Sequence, residues 1–232
     1  MRRRRWDVSR PGGCGGRRGR AREPGAGGSG GPPGAGVGWY PGVVDEGVPM
    51  ETELKVPVED LGEVRRRLAG AGGELLQPTA REVNLLYDDP GGRIAGAGGA
   101  LRLRRYGERW LLTLKGPPSY PGGVKTREEL ETEVGDGEVM GTILERLGFL
   151  PRVRYEKDRE LWRLREAEVA LDHTPMGEFV EIEGPAHRIP GLARRLGLDP
   201  AKALRGSYVT LWQAYRAAHP ELELPEDMVF EG

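Results

Sequence analysis

Cysteine is all but missing from this 232-residue chain: the single one, Cys14, stands in a glycine-rich stretch near the start. A disulfide frame, a thiolate metal site and a cysteine nucleophile are therefore excluded from the expected folded part. Histidine is nearly as scarce, and His173, His187 and His219 have neither ligand nor triad spacing. His173 follows Asp172 and reads as a solvated residue in a turn. Serine is thin as well: beyond residue 50 only Ser119 and Ser207 occur, neither in a nucleophile-elbow context. No apolar run approaches the roughly 18 residues that cross a bilayer, and no apolar core follows the first arginines as in a secretory signal. The expectation is a cytoplasmic protein with no membrane partner.

An excess of one charge is also lacking, with 35 Lys and Arg against 36 Asp and Glu. The division is uneven. Residues 1–49 hold nine Arg against four acids, leaving 26 bases and 32 acids, or −6, for the remainder. A mildly acidic domain with both signs abundant is not a nucleic-acid binder, whose basic footprint would dominate. Residues 1–49 are rich in Gly, Pro and Arg, with too few apolar side chains to offset the entropy of ordering, so a disordered extension is expected. Met50 then reads as the start of the functional part, a domain over 50–218 followed by a tail over 219–232.

Beyond Met50 the pattern is one of strands with few helices. Glu51 to Lys55 alternates, placing Glu51, Glu53 and Lys55 on one face and Thr52 and Leu54 on the other. Leu61, Val64 and Leu68 mark a helical stripe over 59–69, stopped by the glycines that follow. Residues 81–87 read as a strand ending at Asp88-Asp89-Pro90-Gly91, and the glycine-rich 92–100 as a loop without dinucleotide-binding spacing. Strands over 101–104 and 110–115 form a hairpin around Gly107, while 'KGPPSYPGGVKT' lacks the ending and spacing of a phosphate-binding P-loop. Arg127, Glu129, Glu131 and Glu133 share the face of the next strand. A helix over 137–147 gathers Val139, Met140, Ile143, Leu144 and Leu147 on its apolar side. Strands at 152–164, 168–172 and 178–183 follow, then helical pieces at 190–196 and 207–218. Trp110, Trp162 and Trp212 read as packing, and Tyr208 as packing or a stacking platform.

Charged residues sort by strand: acids at Glu51, Glu53, Glu129, Glu131, Asp172, Glu181 and Glu183, bases at Arg102, Arg104, Lys115, Arg127, Lys157 and Arg159. Solvated faces would mix in more Ser, Thr, Asn and Gln. The helical stripes also need an apolar surface, which a barrel's outside supplies. The expected fold is thus α+β, a closed antiparallel barrel with charged side chains in a wet lumen and helices outside. Carboxylates at alternate strand positions suit a hard cation, Mg²⁺ or Mn²⁺, rather than zinc. Clustered Arg and Lys suit a polyanion, and the two sets together describe a small-molecule triphosphate with its metal.

The chain resembles the CYTH superfamily of triphosphate tunnel metalloenzymes, which includes class IV adenylyl cyclases and thiamine triphosphatases. The resemblance spans about residues 50–217. It is carried by ExExK at Glu51, Glu53 and Lys55, 'NLLYDDP' followed by 'ALRLR', 'LTLKGP', 'TREELETEV', Lys157 with Arg159, and 'LDHTPMGEFVEIEG'. It implies an eight-stranded tunnel. Glu51, Glu53, Asp172, Glu181 and Glu183 would be metal ligands or their supports, with Glu129 and Glu131 as further acids. Arg102, Arg104, Lys115, Arg127, Lys157 and Arg159 would hold the triphosphate, and Lys55, with Glu51 and Glu53, would serve catalysis as a phosphate contact or a nucleophile-activating group. The implied activity is cyclisation of ATP to cyclic AMP and pyrophosphate. Some cyclases of this class carry His-Phe where Asp45 and Glu46 stand here, so hydrolysis of tripolyphosphate or thiamine triphosphate is the alternative. A non-catalytic polyphosphate-binding module is the second, and homodimerisation is left open.

Overall fold

The computed structural model describes residues 49–231, so the expected disordered extension, Cys14, Asp45 and Glu46 lie outside the described residues. Eight antiparallel strands close into a barrel: β1 (Met50–Val58), β2 (Glu74–Asp88), β3 (Ala100–Tyr106), β4 (Arg109–Lys115), β5 (Lys125–Val134), β6 (Leu150–Leu164), β7 (Ala167–Thr174) and β8 (Gly177–Glu183). Their order around the wall is β1-β5-β4-β3-β2-β6-β7-β8, with β8 returning to β1. Five helices accompany them: α1 (Leu61–Gly70), α2 (Arg93–Gly96), α3 (Gly137–Arg146), α4 (Ile189–Arg195) and α5 (Tyr208–Ala218). No helix among the described residues is long and apolar enough to cross a membrane.

Strand alternation decides which side chains face in. Leu54 and Val56 of β1, Val169 and Leu171 of β7, and Val180 and Ile182 of β8 face outward and meet Leu68 of α1 and Ile189, Leu192 and Ala193 of α4. A second outer cluster packs Leu101 and Leu103 of β3 and Tyr87 of β2 against Leu144 of α3. Helix α5 is placed differently. It packs with Tyr155 and Phe179, which share the inward parity of the charged residues, and with Met228 from the chain's end. The C-terminal residues are drawn onto the barrel too, with the Met228 carbonyl accepting from Glu156 N at 2.7 Å.

Several elements differ from the sequence expectation for identifiable reasons. β2 starts at Glu74, seven residues before the expected Arg81, because two register shifts around Gln77 carry Pro78 through a strand it would otherwise interrupt. The glycine-rich 92–100 contains the short α2, whose first amides, Ile94 N and Ala95 N, donate to the Asp88 carboxylate at 3.0 and 2.9 Å. His173 lies within β7 and stacks on Phe230 rather than standing in a turn. Helix α3 buries Gly137, Gly141 and Leu144, leaving Val139, Ile143 and Leu147 exposed. Its small face wins because the backbone must pass close to Trp110 and Tyr87: a Cβ at Gly137 would overlap the Trp110 ring, and one at Gly141 would lie 2.9 Å from the Tyr87 hydroxyl.

Gly137→Ala is accordingly expected to destabilise the fold by about 1–3 kcal/mol, the usual cost of overpacking. A surface control, Glu138→Ala, should stay within roughly 0.5 kcal/mol. Urea melts of the two variants check this.

Candidate functional site: a charge-lined lumen

Much of the barrel's inward face is ionised. The acids are Glu51, Glu53, Glu82, Glu129, Glu131, Asp172 and Glu181, with Glu183 at the rim; the bases are Lys55, Arg102, Arg104, Lys115, Lys125, Arg127, Lys157 and Arg159. They pair across strands in an alternating series. Glu51 accepts from Lys115 and Arg127, both at 2.9 Å, and Lys115 reaches on to Glu129 at 2.6 Å. Arg102 stands 3.9 Å from Glu129 and 3.4 Å from Glu131, and Arg104 pairs with Glu131 at 2.9 Å and Glu82 at 3.6 Å. Glu82 continues to Lys157 at 3.4 Å and Arg159 at 3.8 Å, and both bases meet Asp172, at 3.2 and 2.6 Å. Glu181 bonds Arg159 and stands 2.8 Å from Lys55, while Lys125 bonds Glu53.

These neighbours dictate the protonation states. Burial pushes the Glu82 carboxyl up, but Lys157, Arg159 and Arg104 more than reverse this and hold it well below the usual carboxylate range. Glu181 is held down in the same way by Lys55, Lys157 and Arg159. Burial lowers the Lys55 ammonium, yet Glu181 and Glu53 outweigh it and raise its pKa, so Lys55 stays charged. Lys125 goes the other way, lowered by burial and, despite Glu53, by the like charges of Arg127 and Lys55. Glu129 is raised by burial and by sharing a hydrogen bond with Glu51, whereas Glu51 is held low by Lys115, that bond and Arg127 against the effect of burial. Partial burial and the carboxylates of Glu51 and Glu129 push Glu183 up to about 7, even though its side chain is exposed at the rim.

Every site residue expected from the sequence thus sits on the lumen wall or its rim, drawn there from β1, β3, β4, β5, β6, β7 and β8. Others were missed. Glu82 and Asn84 bring in β2 and are fully buried; their alternation in 'REVNL' was the available signal. Lys125 continues the parity of Arg127 but was set aside with the preceding loop. Tyr208 enters from α5, donating to Asp172 at 2.6 Å with the Lys55 ammonium 4.2 Å from its ring centre. Its sequence offers no sign of this, since helix side chains reach a barrel interior only from an end.

Among the described residues no three acid or histidine side chains form a ready metal cage. The donor chemistry nonetheless fits a hard divalent cation. Glu51, Glu53, Glu129 and Glu183 offer only oxygens, and among the described residues Glu183 has no ion pair, so a cation there would relieve the carboxylate repulsion that raises its pKa.

A model of the CYTH domain matches residues 49–192, well over half of the chain. The chain belongs to the CYTH domain family. This CYTH chain is 29% identical over 135 residues to a Methanocaldococcus jannaschii protein provisionally named adenylate cyclase, the match covering 58% of this chain and 76% of that one. Among solved structures, a Vibrio parahaemolyticus protein with the same provisional name superposes with a TM-score of 0.65 at 20% identity, over 72% of this chain and 99% of the other. A Hippeastrum protein, provisionally an adenylyl cyclase and described as having a dominant triphosphatase activity, gives 0.55 at 21%, over 71% and 96%. At such identities the two structures establish the shared CYTH fold.

The pKa shifts give a signed stability profile. Groups held low, Glu82, Glu131 and Glu181, stabilise fully above their unfolded value near 4.5 and lose that stability as pH falls below it. Glu183, raised to about 7, acts oppositely, so stability declines as pH rises from 4.5 to 7. The melting temperature should therefore peak near pH 5, drop steeply below 4.5, and fall by roughly 2 °C between pH 5 and 7, a figure reduced for screening at the rim. Glu183→Gln should lessen the decline between pH 5 and 7, leaving the part due to Glu129, whose carboxyl is also raised; a steady rise from pH 5 to 7 in the unaltered protein contradicts the assignment.

Proposed function

We propose that this protein is a cation-dependent enzyme acting on a triphosphate chain held in the barrel lumen. The observation that carries the reading is an unmet demand of both signs: among the described residues the Nε groups of Arg102 and Arg104 are buried without hydrogen-bond partners, as are the acceptors Glu82 Oε2 and Asn84 Oδ1, beside bases that are all drawn to carboxylates. Buried donors are rarely left unpaired, and an anion rich in oxygens answers them. Arg102, Arg104, Lys115, Arg127, Lys157 and Arg159 are the groups that would grip it, exchanging internal carboxylates for phosphate oxygens. The acids then freed at the Glu51, Glu53, Glu129 and Glu183 end would hold Mg²⁺ or Mn²⁺. Held by those carboxylates, such a cation would supply positive charge against the negative charge that develops on transfer.

Lys55 serves as a fixed positive charge and not as a base, because Glu181 and Glu53 keep it protonated. Its contribution is electrostatic, directed at the transferring phosphoryl oxygens. Lys125, bonded to Glu53, stands as a second positive charge at the same end.

Attack by the ribose 3′-hydroxyl on the α-phosphate of ATP, with pyrophosphate leaving, is the first reading, supported by the provisional name of the Methanocaldococcus jannaschii relative. Attack by water on the terminal phosphate is the second, supported by the activity described for the Hippeastrum protein. Both use the same grip on the chain. Incubation with ATP, thiamine triphosphate and tripolyphosphate, each with Mg²⁺ and with Mn²⁺, separates them. Cyclic AMP with pyrophosphate marks cyclisation, and orthophosphate marks hydrolysis. Glu51→Gln with Glu53→Gln should lower turnover at least about 100-fold while triphosphate still binds, and Arg159→Ala should weaken binding about tenfold or more. Binding without turnover under all conditions leaves only a non-catalytic module.

A further inference from the structure

The barrel wall is incomplete at one place. β1 and β5 pair only as far as Glu53 opposite Lys125, and β5 begins there, so at Leu54 and Lys55 β1 is paired with β8 on one side and has no strand on the other. Two loops fill the gap. On one side the β4–β5 connection folds back as a flap, with Ser119 and Thr126 exchanging two backbone hydrogen bonds of 2.8 Å. Gly122 and Gly123, with φ of 60° and 83°, make the turn that brings Tyr120 to the opening. On the other side lies the segment between α4 and α5, anchored by Leu204 N donating to Lys55 O at 2.8 Å. Between them remains a cavity of about 170 Å³.

Its lining has two characters. The inner end presents Lys55, Lys125 and the Glu53 carboxylate that Lys125 bonds, whereas the outer walls include Ala203, Leu204 and the Tyr120 ring, with the Arg205 guanidinium 5.3 Å from that ring's centre. An inorganic phosphate chain gains nothing from apolar walls and an aromatic face. A ligand with an anionic end and a planar organic end uses all of it: phosphate on the lysines, ring between the loop walls, stacked with Tyr120 and Arg205. The cavity is too small for a whole nucleoside triphosphate, so the phosphate chain must run inward and only the ring stay outside.

We propose that this side opening is the subsite for the non-phosphate end of the substrate, and that the protein acts on an organic ester of triphosphate with a planar ring rather than on the inorganic chain. Tyr120 and Arg205 are its specificity-determining residues. The inference rests on the lumen being the triphosphate site.

Calorimetry on the full-length protein tests it, using ATP, thiamine triphosphate and tripolyphosphate as ligands. At least one ester should bind more tightly than tripolyphosphate. Tyr120→Ala should lower the ratio of that ester's affinity to the affinity for tripolyphosphate by about fivefold or more, as expected for loss of a stacking face. Ala203→Trp, which fills the cavity from the other loop, should lower the same ratio, and thermal melts confirm that both variants fold. Preference for tripolyphosphate over both esters, or variants that leave the ratio within twofold, overturns the subsite while keeping the lumen as a triphosphate site. Failure of all three ligands to bind overturns both.

Discussion

Each base in the lumen is held by carboxylates on neighbouring strands, and the bases hold Glu51, Glu82, Glu131 and Glu181 ionised in return. Desolvating so many charges inside one barrel is tolerable only because the signs alternate from Glu51 through Lys115, Glu129, Arg102, Glu131, Arg104 and Glu82 to Arg159. The same alternation makes the interior responsive. On the proposed function, a phosphate chain would replace the carboxylates around the guanidinium groups and leave the released acids to a cation. The outer wall carries the stability, through the packing of α1, α3 and α4 on the strands, which leaves the interior free to be polar.

The barrel is not equally open everywhere. Helix α5 and the C-terminal residues cover the part where Tyr155 and Phe179 point inward, and Tyr208 reaches from there to Asp172. The break between β1 and β5 lies on another part of the wall, lined by three charged residues that also belong to the lumen, Glu53, Lys55 and Lys125. Polar grip, apolar closure and a partly apolar side opening are thus separate features of one wall, each set by which parity of which strand carries the charged side chains.

Much of this could be read from residue order. The alternation of Glu51, Glu53 and Lys55, repeated in β3 to β8, was enough to place the charges inside and the helices outside, because strand parity is a local property. What escaped was non-local or masked. The first half of β2, ahead of the expected Arg81, contains Pro78, and only pairing with β6 shows the two register shifts that carry the proline. The apolar stripe of α3 pointed to Val139, Ile143 and Leu147, yet Gly137 and Gly141 face the barrel because Trp110 and Tyr87 leave no room for larger side chains. Tyr208 and Tyr120 reach the lumen and its opening through loop paths that no periodicity encodes.

The central claim is that the alternating interior charges are a paired form of a triphosphate and cation site. A crystal structure with tripolyphosphate and Mn²⁺ tests it most directly. The account predicts phosphate density among Arg102, Arg104, Lys157 and Arg159, with an anomalous manganese peak beside Glu51 and Glu53. Phosphate and manganese confined to the outer surface, with the interior ion pairs unchanged, would contradict it.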